Sequence, residues 1–286
     1  MTAIVATIEA DRRRDDFATC RTARRRSGAK TVPASLKAAR SSLERISAPM
    51  NSAFVLNLQA RCALSQSLRD DLAETSGQRR FAVPKHGTIG HDLDPHHIYV
   101  VERGMACRRQ ILENGEHQIT CLVLPGEICD PCSLYVPFGL SPVHALTEVE
   151  VVKIARADIA RLMSRHGEFE TALQWQARVA SDIQHAWIGN LGRRPALGRM
   201  AHLFCEVAIR LDTVGLVRGG TFDFRLTQID LANILGLSVI HTNRVLQDLK
   251  SLKVLELRSR TASISSITQL RSVALFDAGY LHLHNI

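Results

Sequence analysis

Residues 226–252 constrain the fold more than any other stretch, because they predict two short helices joined by a tight turn. Thr227 can cap the first helix, Asp230 follows three positions later as in a capping box, and apolar residues continue at helical spacing. Gly236 stands where a left-handed residue would end that helix, and Ser238 can cap the next one. The pattern predicts a helix-turn-helix, with a helical hairpin inside an all-α core as the alternative.

The outward face of the second predicted helix is unusual for a surface in contact with solvent. Ile240, Arg244 and Gln247 share this face and Asn243 borders it, whereas the opposite face is mainly apolar. Isoleucine can touch the methyl group of thymine, and arginine can donate to O6 and N7 of guanine. We therefore interpret this helix as one that enters the major groove of DNA.

A predicted hairpin follows the second helix. Residues 254–258 and 261–264 have the composition of strands, and Ser259 and Arg260 form the turn between them. This is the pattern of a winged helix, in which Arg258 and Arg260 lie near phosphates; the alternative is that they are solvated surface charges. The predicted DNA-contacting residues are Thr227, Ser238, Val239, Ile240, His241, Asn243, Arg244, Gln247, Arg258 and Arg260.

Residues 226–257 resemble the DNA-binding domain of the Crp/Fnr transcription regulators. Members of this family keep a Leu-Gly-x-Ser/Thr turn, here residues 235–238, and an arginine one turn into the recognition helix, here Arg244. Many members also carry a glutamate one turn before that arginine. This chain departs from them, because Ile240 occupies the position and no carboxylate is present to accept from a base amino group.

The resemblance extends upstream and covers roughly residues 50–280. The segment PGEICDPCSLY resembles the family's sensory β-roll after its Pro-Gly-Glu turn, and residues 169–203 resemble its long dimer helix and hinge. The resemblance implies an α+β chain with an N-terminal antiparallel β-roll or jelly roll, a long dimerisation helix and a C-terminal winged helix-turn-helix. It also implies a homodimeric activator or repressor of transcription whose partner is a palindromic double-stranded DNA operator. RNA polymerase is a further partner if the protein activates.

The length of the chain and the periodicity of its segments predict several domains. At 286 residues the chain is longer than one typical domain. Short β-type runs separated by glycines fill residues 79–154, and Asn114-Gly115 between two of them predicts a hairpin. The predicted domains are a basic, disordered tail at 1–46, a cyclic-nucleotide-binding-like sensory domain at 47–164, a dimerisation helix and hinge at 165–192, and a winged-helix DNA-binding domain at 193–286.

Charge and cysteine content narrow the class of protein. Residues 191–286 hold 12 Lys/Arg against 7 Asp/Glu, a net charge of +5, which suits a partner that carries phosphates. No run of about 18 apolar residues occurs, so we expect neither a membrane span nor a membrane partner. Seven cysteines, an odd number scattered through periodic segments, favour a reducing cytoplasm.

No group of residues typical of a catalytic site is visible in the sequence. We therefore expect no enzyme and keep an enzyme built on the β-roll only as an alternative.

One face of the predicted long helix carries residues that step by three and four without a break, as in a coiled-coil seam. We expect two copies of the chain to pair along this face, because helix-turn-helix proteins usually bind paired half-sites. A helix packed on its own domain would show a similar stripe. The predicted dimerisation residues are Phe169, Ala172, Gln176, Val179, Ile183, Ala186 and Asn190.

The predicted sensory domain offers no clear effector site. Family members that bind cyclic nucleotides pair the phosphate with an arginine after the Pro-Gly-Glu turn, yet no lysine or arginine occurs between Arg109 and Lys153. We therefore expect cyclic nucleotides not to bind, and we assign no cofactor and no metal. Cys129 and Cys132 form a Cys-x-x-Cys motif, so a redox- or metal-responsive sensor is the alternative, with Glu127 as the third effector candidate.

Overall fold

The structure, a computed structural model, describes residues 52–77, 79–90, 96–134 and 142–283. The predicted basic tail at residues 1–46 lies outside these ranges. None of the helices within them combines the length and the apolar character that crossing a bilayer requires.

The first part of the described chain is an antiparallel β-roll preceded by two short helices. Its elements are α1 Ala53–Gln59, α2 Gln66–Gly77, β1 Arg80–Val83, β2 Thr88–Ile89, β3 His97–Arg103, β4 Ala106–Ile111, β5 His117–Val123, a 3-10 turn Pro131–Leu134, β6 Val143–Ala145 and β7 Val149–Ala155. One sheet has the strand order β1-β7-β3 and the other has the order β2-β6-β4-β5. Their strand pairs are antiparallel, which confirms the predicted β-roll.

The β4–β5 hairpin closes at the predicted Asn114-Gly115 turn. The N–H of Gly115 donates to Leu112 O (2.9 Å), and the N–H of Leu112 donates to Glu116 O (2.9 Å). Gly115 has φ +84°, a conformation that L side chains rarely adopt, and Asn114 Oδ1 accepts from the N–H of Glu116 (3.0 Å). Gly115 therefore supplies the positive φ and Asn114 supplies the side-chain acceptor that stabilise this turn, and the hairpin prediction is confirmed.

Two helices connect the β-roll to the rest of the chain. They are α3 Arg156–Arg165 and α4 Gly167–Arg193, and α4 has 27 residues, which makes it about 40 Å long. Pro195 then stands at the N-cap of α5, Ala196–Asp212, in an extended conformation. Because proline lacks the N–H that would continue the preceding helix, the chain breaks between α4 and α5 at Arg194 and Pro195. The hinge predicted at the end of residues 165–192 stays a prediction.

The C-terminal part is a winged helix. Its remaining elements are β8 Thr221–Asp223, α6 Gln228–Leu235, α7 Val239–Ser251, β9 Leu255–Arg258, β10 Thr261–Ile264, α8 Ile267–Ala274 and a 3-10 turn Gly279–Leu281. The wing strands β9 and β10 lie where the sequence predicts them, and β8 adds a third strand on the other edge of β10. Periodicity does not predict β8, because three residues are too few to show alternation.

The β-roll and the winged helix share an apolar core. Leu122 of β5 is buried together with Phe204 of α5 and Leu231 of α6. In addition, Gln118 Nε2 donates to Ile234 O (3.1 Å), so a side chain of β5 satisfies a carbonyl in the last turn of α6. The first helix of the helix-turn-helix is therefore held against the β-roll, although the predicted domain boundaries stay a prediction.

The structure corrects the predicted dimer seam on α4, because the same chain covers that face. Phe169 and Ala172 are 0% and 1% exposed and pack into the core of the β-roll. Val179 and Ile183 are each 6% exposed and pack against Leu281 in the C-terminal 3-10 turn. A face that is already buried within one chain is not available to pair with a second chain.

The polar residues of that seam are also placed inside the chain. Gln176 Nε2 donates to Gly126 O (3.0 Å), and its Oε1 accepts from the N–H of Ile128 (3.2 Å). Asn190 is 0% exposed, whereas Ala186 is half-buried. Gln176 therefore ties α4 to the Pro-Gly-Glu turn of the β-roll, rather than setting the register of a coiled coil.

Candidate nucleic-acid interface

Local hydrogen bonds fix the start of each helix in the helix-turn-helix. Thr227 Oγ1 accepts from the N–H of Asp230 (3.1 Å), and Asp230 Oδ2 accepts from the N–H of Thr227 (2.8 Å), so the capping box is complete. Ser238 Oγ accepts from the N–H of His241 (3.2 Å) at the start of α7. Both predicted caps are confirmed.

The turn between α6 and α7 depends on Gly236. This glycine has φ +62° and ψ 44°, the left-handed conformation that a Cβ atom disfavours, and its N–H donates to Ala232 O. The N–H of Leu237 donates to the same carbonyl (3.1 Å). Because the chain reverses within Gly236 and Leu237, Ser238 can begin α7 at once and the two helices stay in contact.

One face of α7 packs into the shared core, and the opposite face, called the open face, is exposed. Val245 and Leu249 are 3% and 0% exposed and belong to the shared core. Ile240 is 78% exposed and Val239 is 41% exposed, although aliphatic side chains are usually buried. The periodicity of this helix therefore predicts correctly which face is buried and which is presented.

A shallow depression of about 350 Å³ lies on the open face of α7. It is lined by Gln228, Val239, Ile240, Asn243, Arg244 and Gln247. Arg244 makes no hydrogen bond and no ion pair with any residue in the described ranges, so its N–H donors are free to bind another molecule. Gln228 is not among the DNA-contacting residues predicted from the sequence, because it belongs to α6 and only the tight turn brings it beside α7.

The wing presents two arginines at its tip. Ser259 and Arg260 have φ +49° and +70°, which is the backbone of a type I′ turn, and the N–H of Phe224 donates to Arg260 O (2.7 Å). Arg258 and Arg260 are both exposed. The remaining predicted DNA-contacting residues, Thr227, Ser238 and His241, are exposed as well, but the hydroxyls of Thr227 and Ser238 already cap α6 and α7.

A buried polar cluster joins the winged helix to the β-roll. Arg210 of α5 donates from Nη2 to Glu127 Oε2 (2.6 Å) and from Nε to Glu127 Oε1 (2.9 Å). It also donates from Nη2 to Leu122 O (2.8 Å) and from Nη1 to Glu206 Oε1 (2.7 Å). Only 3% of the Arg210 side chain is exposed, so this guanidinium binds two carboxylates and a carbonyl away from bulk solvent.

Glu206 extends the cluster towards the C terminus. Its Oε2 accepts from Trp187 Nε1 (3.0 Å) and from the hydroxyl of Tyr280 (2.7 Å), and His202 lies beside it. Burial alone would raise the pKa of Glu206, but His202 and the charge of Arg210 together hold that pKa below its ordinary value. Glu206 is therefore an ionised carboxylate inside the protein.

The C-terminal segment after α8 is part of the same assembly. Arg61 Nε donates to Leu281 O (3.1 Å), and His282 Nε2 lies 2.7 Å from Asp182 Oδ2 on α4. The β-roll, α4, the winged helix and the C-terminal segment therefore meet around Leu281. Sequence patterns give no signal for this junction, because its members are far apart in the chain.

The three effector candidates lie in different environments. Glu127 is occupied by Arg210, and Cys132 is exposed. Cys129 is buried, and burial raises the pKa of its thiol to about 12, so the reactive thiolate is disfavoured. Among the residues that the structure describes, no three His, Cys, Asp or Glu side chains are grouped to hold a metal ion.

The fold and the open face of α7 define a winged-helix DNA-binding protein with an N-terminal β-roll. Two family models match the chain and together span more than half of it: a cyclic nucleotide-binding domain at residues 80–166 and a Crp-like helix-turn-helix domain at residues 198–273. The chain belongs to the Crp/Fnr family of transcription regulators.

One curated sequence and two solved structures illustrate what the chain is similar to. A probable transcriptional activator from Rhizobium leguminosarum bv. viciae is 24% identical over 160 residues, which is 56% of this chain and 65% of that relative. The structure of FixK2 from Bradyrhizobium japonicum superposes with a TM-score of 0.60 at 21% identity, covering 70% of this chain and 98% of FixK2. A CooA mutant from Carboxydothermus hydrogenoformans superposes with a TM-score of 0.54 at 16% identity, covering 76% and 99%. At these identities the two structures establish the fold alone.

Proposed function

We propose that the chain is a sequence-specific transcription regulator that binds a palindromic DNA operator as a homodimer. The observation that carries this proposal is the open face of α7, where exposed Val239 and Ile240 stand beside Arg244 with its donors free. The net charge of +5 over residues 191–286 attracts the phosphates of such a partner. RNA polymerase is a further partner if the regulator activates.

Within each half-site, Arg244 donates to O6 and N7 of a guanine, and Ile240 packs on the methyl group of a neighbouring thymine. The two side chains can act together, because residues four apart on a helix are neighbours on its surface. Asn243 and Gln247 line the same depression and bind either a base edge or a phosphate. Contacts to the sugar-phosphate backbone are assigned to Thr227, Ser238, His241, Arg258 and Arg260.

Selection of binding sites from random duplexes, with the parent protein and with Arg244→Ala, tests this assignment. The parent should select an inverted repeat with a guanine in each half, and Arg244→Ala should lose that guanine at a cost of roughly 1–3 kcal/mol per half-site. Arg258→Ala is the matched control, because loss of a phosphate contact should weaken all sequences alike and flatten the salt dependence. An unchanged guanine preference in Arg244→Ala would contradict the assignment of α7.

The proposed dimer face lies on the flank of α4 that the chain leaves uncovered. Ile188 is 71% exposed, an unusual position for an isoleucine on a long helix. At 3.6 residues per turn, the half-buried Ala177, Ala180 and Leu191 lie with Ile188 on a face about 100° around the helix from Ile183. The exposed Gln184 lies at the centre of the same face. A second copy of the chain would bury this mainly small and apolar face without disturbing the contacts of α4 within the subunit.

Sedimentation equilibrium of Ile188→Glu tests the dimer face. The exposed position should tolerate the substitution, so the variant should stay folded and dissociate to monomers because a charge would be buried at the interface. Thr171→Glu, on an exposed and opposite part of α4, should remain a dimer. A dimer of unchanged affinity in Ile188→Glu would remove this face from the proposal.

We propose that cyclic nucleotides are not the effector. No lysine or arginine lies between Arg109 and Lys153, so a cyclic phosphate would lack a charged partner, and the Glu127 carboxylate is already bound to Arg210. Titration calorimetry with cyclic AMP and cyclic GMP should detect no binding. Micromolar binding of either nucleotide would contradict this proposal.

A further inference from the structure

We infer that the depression on α7 recognises the C5-methyl group of a pyrimidine rather than the base that carries it. Duplexes with 5-methylcytosine beside the guanine of Arg244 would then bind as well as duplexes with thymine, and unmethylated cytosine would bind less well. The inference rests on the proposed DNA-binding function and specifies the chemical group that this site reads.

The chemistry of Ile240 carries the first step. Its side chain neither donates nor accepts a hydrogen bond, so it does not distinguish O4 of thymine from the N4 amino group of cytosine. A glutamate at this position would accept from that amino group, as the relatives with a carboxylate there can. With isoleucine, the difference that the side chain can sense is the presence or absence of the methyl group in the major groove.

The geometry of the site supplies the second step. Ile240 is 78% exposed and lines the depression with Val239, so its apolar surface is open to a partner. Arg244 lies one turn later on the same face, and successive bases of a strand are about 3.4 Å apart. An isoleucine one turn from the guanine-reading arginine is therefore within reach of the neighbouring pyrimidine.

The size of the effect follows from the burial of one methyl group. The free energy of transferring one CH₂-sized group out of water corresponds to about a fourfold change in affinity. A symmetric operator with two half-sites should therefore bind about sixteenfold more tightly when both pyrimidines carry the methyl group. DNA methylation within the operator would then raise occupancy by the regulator.

Competition for the selected operator, measured by fluorescence anisotropy, tests the inference. Four duplexes differ only at the base pair beside the guanine, whose pyrimidine is thymine or 2′-deoxyuridine opposite adenine, or 5-methylcytosine or cytosine opposite guanine, so that each of these two pairs of duplexes differs by the methyl group alone. Thymine and 5-methylcytosine should bind within twofold of each other, and each should bind about fourfold per half-site more tightly than its unmethylated counterpart. Equal binding of thymine and 2′-deoxyuridine, or of 5-methylcytosine and cytosine, would overturn the inference.

Variants of the reading face identify the side chain responsible. Ile240→Ala should bring the methyl preference below twofold, and Ile240→Val should keep most of it. Gln247→Ala, an exposed position in the same depression, is the control that should lower affinity without changing the preference. A preference that persists in Ile240→Ala overturns the inference, as does a selected operator without a pyrimidine beside that guanine. If no duplex is selected at all, the proposed function itself fails.

Discussion

Replacing Arg210 by methionine should reduce the free energy of unfolding more than any surface substitution. The guanidinium is 3% exposed and serves Glu127, Glu206 and Leu122 O at 2.6–2.9 Å. Methionine fills a similar volume but leaves two carboxylates and a carbonyl without this donor. Removing one partner of a buried ion pair typically costs about 3–5 kcal/mol, and we expect a loss in this range at pH 7.

The loss should depend on pH in a defined direction. In the parent, the pKa of Glu206 is held below its ordinary value, so this group contributes stability that is present above the unfolded pKa, about 4.3, and is lost as pH falls through the folded pKa. Without Arg210, one of the groups that lower the pKa of Glu206 is removed, so this pKa should be higher in the variant than in the parent. The folded variant then takes up protons at a higher pH than the folded parent, so the difference in free energy of unfolding between them should shrink from pH 7 towards pH 4.

Urea unfolding monitored by circular dichroism at several pH values measures this difference. Arg244→Met is the matched control for the loss of an arginine, because its side chain is exposed, and it should change the free energy of unfolding by less than about 0.5 kcal/mol. A loss below about 1 kcal/mol in Arg210→Met, or a loss that is constant with pH, would refute the view that this cluster holds the winged helix to the β-roll.

Three further expectations follow from individual residues. Val179→Asp with Ile183→Asp should lower the melting temperature and the folded fraction, since both sites are buried within the chain; folded monomers with the parent's melting temperature would restore the coiled-coil seam. Thr227→Ala should cost about 1 kcal/mol by urea unfolding because the N-cap of α6 is lost, whereas Thr227→Ser should cost much less. Cys129→Ser with Cys132→Ser should leave DNA affinity equal in air and in reductant, because Cys129 is buried with a raised pKa; an oxidant effect that this pair abolishes would indicate a redox sensor.

The helix-turn-helix could be predicted from sequence because its determinants are local. The capping box joins Thr227 to a residue three positions later, and Gly236 and Ser238 act on their nearest neighbours. The Asn114-Gly115 hairpin is equally local. Interactions within four residues depend mainly on the residues that take part in them and little on the rest of the chain, so the local pattern alone is enough to recognise them.

Periodicity determined which face of α4 is buried but not what buries it. The stripe through Val179 and Ile183 correctly identifies an apolar face, and a second chain or the same chain could equally cover it. Leu281, about a hundred residues later in the chain, packs on this face, and the sequence around Leu281 gives no sign of that contact. The uncovered flank with Ile188 became visible only once the covered face was known.

The sequence by itself therefore determined the helices α6 and α7, their caps, the wing and the antiparallel hairpin, all of which depend on neighbours in the chain. Only the tertiary structure decided that Arg210 meets Glu127, 83 positions away, and that one core continues from the β-roll into α6. A charged residue on a helix pattern is usually solvated, so Arg210 gave no sign of its burial. The physical reason is that a buried charge is stable only when distant groups supply its partners, and the fold alone brings those groups together.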